Sequence, residues 1–352
     1  MIDSWAKILQ AIHIGNPLCR WVLTAALFFV LVRVQVSENN RIPTINLEDF
    51  TSDEPGRRGH FTRTFGEGLL DCGFIKLEGH GVDPSLIRQG YDAFESFFSF
   101  DEETKKQYAG SEAGARGYTP FGIEHAKDYD KPDLKEFWQV GQDLPEGHPY
   151  RAEYSRNVWP TEIPEFQRHA QEIFRRLEDC ARMLLESLAE FFELPAGTFS
   201  DMIVDGNHVL RIIHYPPLSG EVDPAAFRSA PHEDINLITL LCEATQGGLE
   251  ILTREDEWIP VEAKSGQIVV DSGDMIARVT NGIVPATTHR VSNPKRAVNE
   301  SRYSIPFFVH PFSACDLTVM DRFVSEDRPP RFEPIAAGEY LQERLREIGL
   351  KG

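Results

Sequence analysis

The chain has 352 residues, 41% of them apolar, enough for a packed core in one large domain or two ordinary ones. Lys plus Arg number 36 against 55 Asp plus Glu, and a net charge of -19 argues against a nucleic-acid or anionic-membrane surface, leaving a small-molecule substrate as the expected partner. The five cysteines are scattered and form no Cys-x-x-Cys pair, which argues against zinc or dithiol redox work and suits a reducing cytoplasm.

Residues 1–36 form an apolar N-terminal extension. Trp21 to Val32 is a run of twelve mostly apolar residues between Arg20 and Arg33. As a helix it rises only about 18 Å against roughly 30 Å of bilayer hydrocarbon. No small-residue cleavage site follows it. The expectation is a segment outside the folded protein, with translation starting near Val36, since no methionine lies between Met1 and Met183. Membrane anchoring, with the two arginines reaching the interfaces, is the alternative.

An N-terminal helical region follows over residues 41–162. Ile42 to Leu47 alternates and contains a proline, which suits an edge strand. Phe65, Leu69, Leu70 and Phe74 predict a helix running into a strand at Gly73 to Leu77, and Leu86, Ile87, Tyr91, Phe94, Phe97 and Phe98 predict a second helix after Pro84. Residues 108–162 are rich in Gly, Pro and charge and read as an irregular excursion, with Gly117 to Asp143 as a candidate lid. From 163 to 312 the spacing predicts a long buttressing helix, Pro164 to Glu193, then short strands at Val209 to Tyr215, Leu237 to Cys242, Leu249 to Leu252, Ile268 to Val270 and Tyr303 to Val309. Such a series suggests an antiparallel sandwich or barrel in an α+β fold. Residues 313–352 are read as a C-terminal extension.

Chemistry concentrates in the strand-rich part. His232 and Asp234 flank Glu233, and side chains two apart on a strand share a face, so one segment can deliver two ligands to an ion. About two such His-x-acid matches are expected by chance at this composition, so the pattern alone is weak. A following apolar strand and a remote His289, after the Thr280-Asn281-Gly282 turn, strengthen it. Two imidazoles and a carboxylate that leave other positions open suit non-haem Fe(II), although zinc accepts the same set. The competing reading is a hydrogen-bonded surface pair with a core histidine. Glu233 faces away and is not expected to ligate, and His80, His125, His214 and His310 are read as structural. Arg302 and Ser304 again differ by two and can grip one carboxylate between guanidinium and hydroxyl. The apolar strand around Arg302 demands an anionic partner for it. Tyr215 can add a phenolic donor, and Arg211, on the same strand face, is a candidate for substrate or co-substrate binding or for pairing with an acid. Asn236 and Phe307 are candidate pocket residues.

With these motifs on one chain, the sequence resembles the isopenicillin N synthase-like family of iron and 2-oxoglutarate dependent oxygenases over about Arg41 to Pro311. Cys72-Gly73-Phe74, His80-Gly81, Phe97-Phe98, Lys105, Gly117-Tyr118, Lys135-Glu136 and Asn157-Val158-Trp159-Pro160 look like its helical region. Tyr215-Pro216-Pro217, His232-x-Asp234, Gly247-Gly248-Leu249, Trp258, Gly273-Asp274, His289-Arg290-Val291 and Arg302-x-Ser304 follow in family order. The resemblance implies a double-stranded β-helix, or jelly roll, holding Fe(II) through His232, Asp234 and His289. It also implies 2-oxoglutarate as co-substrate, its distal carboxylate on Arg302, Ser304 and Tyr215, and O2 at the remaining metal position. The implied reaction oxidises a small organic substrate, by hydroxylation or desaturation, with release of succinate and CO2. Plant members often carry Asn-Tyr where Ile213 and His214 stand here, which removes one polar contact to the 2-oxo acid. A 2-oxoglutarate-independent oxidase, an ethylene-forming fragmentation of 2-oxoglutarate, a zinc hydrolase and a silent binding protein are the alternatives.

Overall fold

Apolar residues at three- and four-residue spacing, with prolines at first turns, set the principal helices. The computed structural model describes residues 42–348 apart from 111–115, 128, 219–222, 224 and 295–298. The expectations for residues 1–36 lie outside the described residues. After the short strand β1 (Thr44–Asn46) comes helix α1 (Pro55–Cys72), longer than its apolar stripe suggests. It stops at Gly73, whose φ of 70° is left-handed and whose N–H closes onto the Leu69 carbonyl at 2.9 Å. Strand β2 (Phe74–Glu78) leads to α2 (Pro84–Phe98), where the Asp83 carboxylate caps by accepting from the Ser85 N–H at 2.7 Å. A short α3 (Glu102–Lys106) follows.

The segment expected to be an irregular lid is partly sheet. Strands β3 (Gly117–Thr119) and β4 (Glu136–Gly141) are buried throughout and pair with each other, so only the chain between them stays irregular. Their polar and glycine-rich sequences hide a strand whose burial comes from tertiary packing. Helix α4 (Pro164–Phe191) buries Phe166, Ile173, Leu177, Leu184 and Leu188, the stripe its spacing predicts.

The remaining strands are β5 (Val209–Tyr215), β6 (Ser229–His232), β7 (Ile238–Cys242), β8 (Leu249–Leu252), β9 (Trp258–Pro260), β10 (Ile268–Ser272), β11 (His289–Val291) and β12 (Arg302–Val309). Among the described residues they make two sheets. The larger runs β1, β2, β10, β7, β12, β5, β4, β3, with only the β1–β2 pair parallel, and the smaller runs β6, β11, β8, β9. The edge strand is therefore where the sequence puts it, with Pro43 just ahead of its first residue, and the architecture is the expected α+β jelly roll. Helix α5 (Asp274–Val279) and helix α6 (Ala337–Glu347) complete the chain, which is one compact unit from Ile42 onward. Among the described residues no helix is long and apolar enough to cross a membrane.

Candidate metal and co-substrate site

Antiparallel pairing of β11 with β6 sets His289 directly opposite His232, with ring centroids 4.4 Å apart. Strand β6 ends at His232, so Asp234 is presented by the turn that follows rather than by the strand itself. That turn is clamped from behind. The Asp274 N–H donates to the Asp234 carbonyl at 2.7 Å, and a Cβ on Gly273 would stand 2.7 Å from the same oxygen, so only glycine fits there.

The three side chains converge. Nε2 of His232 and Nε2 of His289 each lie 3.8 Å from Oδ1 of Asp234, a separation that two metal–ligand bonds of about 2.1 Å can bridge. Each imidazole is oriented by its other nitrogen, with Nδ1 of His232 2.7 Å from the Ala230 carbonyl and Nδ1 of His289 3.1 Å from the Thr287 carbonyl. A proton on each Nδ1 leaves both Nε2 lone pairs for an ion. Burial first, then the neighbouring His232, lowers the pKa of His289 to about 4, so it is neutral and ligand-ready at physiological pH. These are the His/Asp donors within ligating reach of one another among the described residues. Glu233 is not among them; its carboxylate accepts from the Thr288 hydroxyl.

The other carboxylate oxygen of Asp234 accepts from the Thr239 hydroxyl, which in turn accepts from the Asn236 amide at 2.8 Å. Asn236 is fully buried and braces Thr239 instead of lining a pocket, and Phe307 is core, edge-on to Phe174 at 4.9 Å. Both differ from the sequence expectation: Asn236 sits in the bend before β7 with its amide turned onto Thr239, and Phe307 lies on β12, a central strand that packs against α4. Thr239→Val should keep the packing and lose the carboxylate's partner. The expected result is Fe(II) affinity lower by about 10- to 100-fold, measured by anaerobic metal titration with circular dichroism unchanged.

On the larger sheet, Arg302 pairs in register with Tyr215, and Ser304 with Ile213. Arg302, Ser304 and Tyr215 are each 1–2% exposed. The Arg302 guanidinium stacks 4.9 Å from the Tyr215 ring centroid, and its Nε donates to the Gln246 and Gly247 carbonyls at 3.0 and 3.1 Å. Its Nη1 is buried with no acceptor, and the acceptors that its Nε has are backbone carbonyls and not carboxylates. Tyr215 shares a small apolar cluster with Val291 of the smaller sheet, two residues beyond His289, which sets this group of side chains between the sheets.

Arg211 goes elsewhere. It stands four residues before Tyr215, about 13 Å along the strand, and pairs with Glu124 at 3.0 Å while Nε donates to Gln139 at 3.1 Å. Its place is in the wall of a cavity of about 570 Å³ that reaches His232 and Asp234. Lys135 extends the wall, bridging Glu124 at 3.0 Å and Asp133 at 2.8 Å, and Asp133 accepts from the Ala230 N–H at 2.9 Å. Burial alone would raise the Glu124 carboxyl, but Arg211 and Lys135 outweigh it and pull its pKa down to about 2. Sequence reasoning missed this ion chain because its partners are as much as 87 residues apart and no local pattern marks them. Helix α6 closes another side of the cavity with Tyr340, Leu341 and Arg344, so the supposed C-terminal extension is part of the site wall.

His310 also lines the cavity, buried and with Nδ1 unpaired. Burial first, then His208, lowers its pKa from 6.5 to about 3. Between those values the unfolded chain holds the proton and the folded one does not. The contribution of His310 to stability is therefore full above pH 6.5 and falls as the pH drops toward 3. His310→Gln should flatten the stability–pH slope of the metal-free protein below pH 6.5 by up to ~1.4 kcal/mol per pH unit, read from urea midpoints between neutral and acid pH. Identical slopes in the two proteins would contradict it.

Comparisons with known proteins agree with this geometry. The N-terminal model of non-haem dioxygenases in morphine synthesis matches residues 42–162, and the 2OG-Fe(II) oxygenase superfamily model matches residues 206–311. A 2-oxoglutarate-Fe(II) type oxidoreductase of Aspergillus fumigatus is 30% identical over 86% of this chain and 92% of its own length. Among solved structures, a 2OG-Fe(II) oxygenase family protein of Caulobacter crescentus is 40% identical with a TM-score of 0.79, covering 87% of this chain and 99% of the other. A full-length Neurospora crassa protein, crystallised with alpha-KG and thymine, is 25% identical with a TM-score of 0.77, covering 87% and 96%.

Proposed function

The chain belongs to the 2OG-Fe(II) oxygenase superfamily and is an Fe(II)- and 2-oxoglutarate-dependent dioxygenase, and on that premise we propose that His232, Asp234 and His289 hold the iron while Arg302, with Ser304 and Tyr215, anchors the distal carboxylate of 2-oxoglutarate. The observation that carries the assignment is the convergence of two imidazole Nε2 atoms on one Asp234 oxygen, each at 3.8 Å. Two imidazoles and one carboxylate on one side of an ion suit Fe(II) and leave further coordination positions open. The buried, acceptor-less Nη1 of Arg302 fits the second assignment, since an unpaired guanidinium inside the protein calls for an anion.

With iron bound at this site, O2 would be the oxidant and 2-oxoglutarate the co-reductant that gives up two of the four electrons, with succinate and CO2 as the co-products. The protein's part is placement. His232 and His289 keep their ligand atoms aimed through backbone carbonyls, and Thr239 fixes the rotation of Asp234. Arg302 fixes the depth to which the 2-oxo acid enters. Arg211, Glu124 and Lys135 line the cavity with charges of both signs, which favours a small organic substrate carrying polar groups over a purely apolar one. Helix α6 shields that space from bulk water.

The test is direct. Purified protein loaded with Fe(II) under anaerobic conditions and then given O2 should convert 2-oxoglutarate to succinate, faster with members of a panel of small polar compounds than with hydrocarbons of similar size. No metal-dependent succinate across the whole panel would refute the proposal.

A further inference from the structure

Arg228 lies near Arg302 and Tyr215, and sequence motifs give no reason to notice it. It immediately precedes β6, four residues before His232, and is 2% exposed. Its Nη2 donates to the Glu300 carbonyl at 2.6 Å, but its Nε is buried with no acceptor. The acceptor that Arg228 does have is a backbone carbonyl and not a carboxylate. Its guanidinium lies 6.0 Å from the centroid of the Tyr215 ring, the same ring that carries Arg302 at 4.9 Å. Two buried guanidiniums thus share one tyrosine, each with a donor nitrogen left unpaired. Burial first, and then the charge of Arg302, lowers the pKa of Arg228, so the two cations are close enough to repel each other. Burying like charges side by side is unfavourable unless an anion sits with them.

Three other largely buried cations each have an acid partner. Lys105 pairs with Glu136 at 2.8 Å, Lys135 with Asp133 and Glu124, and Arg211 with Glu124. Around Tyr215 two buried arginines meet, each keeping a buried nitrogen without an acceptor. Resting on the reading of Arg302 as the anchor of 2-oxoglutarate, we infer that Arg228 is a second cationic contact for the distal carboxylate, so that this end of the co-substrate is held between two guanidiniums. A carboxylate has two oxygens and about four lone-pair directions, enough to accept from both arginines and from the Tyr215 and Ser304 hydroxyls together. The consequence is selectivity: the site should discriminate strongly for 2-oxo acids with a charged far end.

The experiment compares two ligands by calorimetry on anaerobic, Fe(II)-loaded protein: 2-oxoglutarate, and oxalate, which chelates a metal but has no distal carboxylate. Arg228→Gln should weaken 2-oxoglutarate by about 10- to 100-fold and leave oxalate within a factor of two or so, the loss expected for a charge-assisted hydrogen bond. Arg228→Lys, which keeps the charge, should recover part of the loss and serves as the informative variant if the glutamine protein does not fold. Equal weakening of both ligands would assign Arg228 a purely structural role and overturn the inference, as would no weakening of either. Arg302→Gln, run alongside, separates the two ideas. If it abolishes 2-oxoglutarate binding while Arg228→Gln does not weaken it, only the second contact fails; if neither variant matters, the anchor assignment fails with it.

Discussion

His232→Ala is expected to lower Fe(II) affinity by more than about 100-fold and to bring O2-dependent succinate formation down to background. The lower bound comes from outer-shell partners, whose removal typically costs about 10- to 100-fold, and a ligand atom should cost more. Added iron should not restore turnover, because two remaining ligands cannot hold an ion at a defined face. The fold should survive. His232 is the most exposed of the three, with 30% of its side chain accessible, so its truncation opens no large core cavity. Iron titration and circular dichroism on the same sample separate ligand loss from unfolding. Retained succinate formation with undiminished iron would remove His232 from the site.

Arg302→Gln is expected to raise the apparent Kd for 2-oxoglutarate by about 30- to 4000-fold, corresponding to ~2–5 kcal/mol for truncating one partner of a buried charge pair. The variant should bind iron normally, because Arg302 lies on β12 of the larger sheet whereas His232 and His289 lie on the smaller one. At saturating 2-oxoglutarate much of the turnover should return, which marks loss of anchoring rather than loss of chemistry. Arg302→Lys should recover only part of the affinity, since an ammonium cannot reproduce the planar bidentate grip. An unchanged KM for 2-oxoglutarate in the glutamine variant would show that the carboxylate binds elsewhere.

The candidate site was legible in the sequence to the extent that its spacing is local. Arg302-x-Ser304 and the strand that carries it could be read directly, because β12 is long, apolar and regular. His232-x-Asp234 was legible as a pair, but its geometry was not: the strand stops at His232 and a turn presents Asp234. The segment before β5 misled for a different reason. Gly117–Thr119 and Glu136–Gly141 carry glycine and charge on strands that neighbouring elements bury completely, so composition pointed to a lid where a sheet lies.

Local pattern, then, determined the helix stripes, most of the barrel strands, and the residue types proposed as metal ligands and carboxylate anchors, since these depend on periodicities of two and 3.6 residues within one segment. The tertiary structure alone decided which distant groups meet. It set His289 opposite His232, gave Arg211 the acid partner that the sequence had left as one of its possible roles, made the C-terminal helix a wall of the cavity, and brought Arg228 to the same tyrosine as Arg302. Those outcomes depend on sheet register and on the balance of buried charges, and a buried charge finds its partner through space, not along the chain.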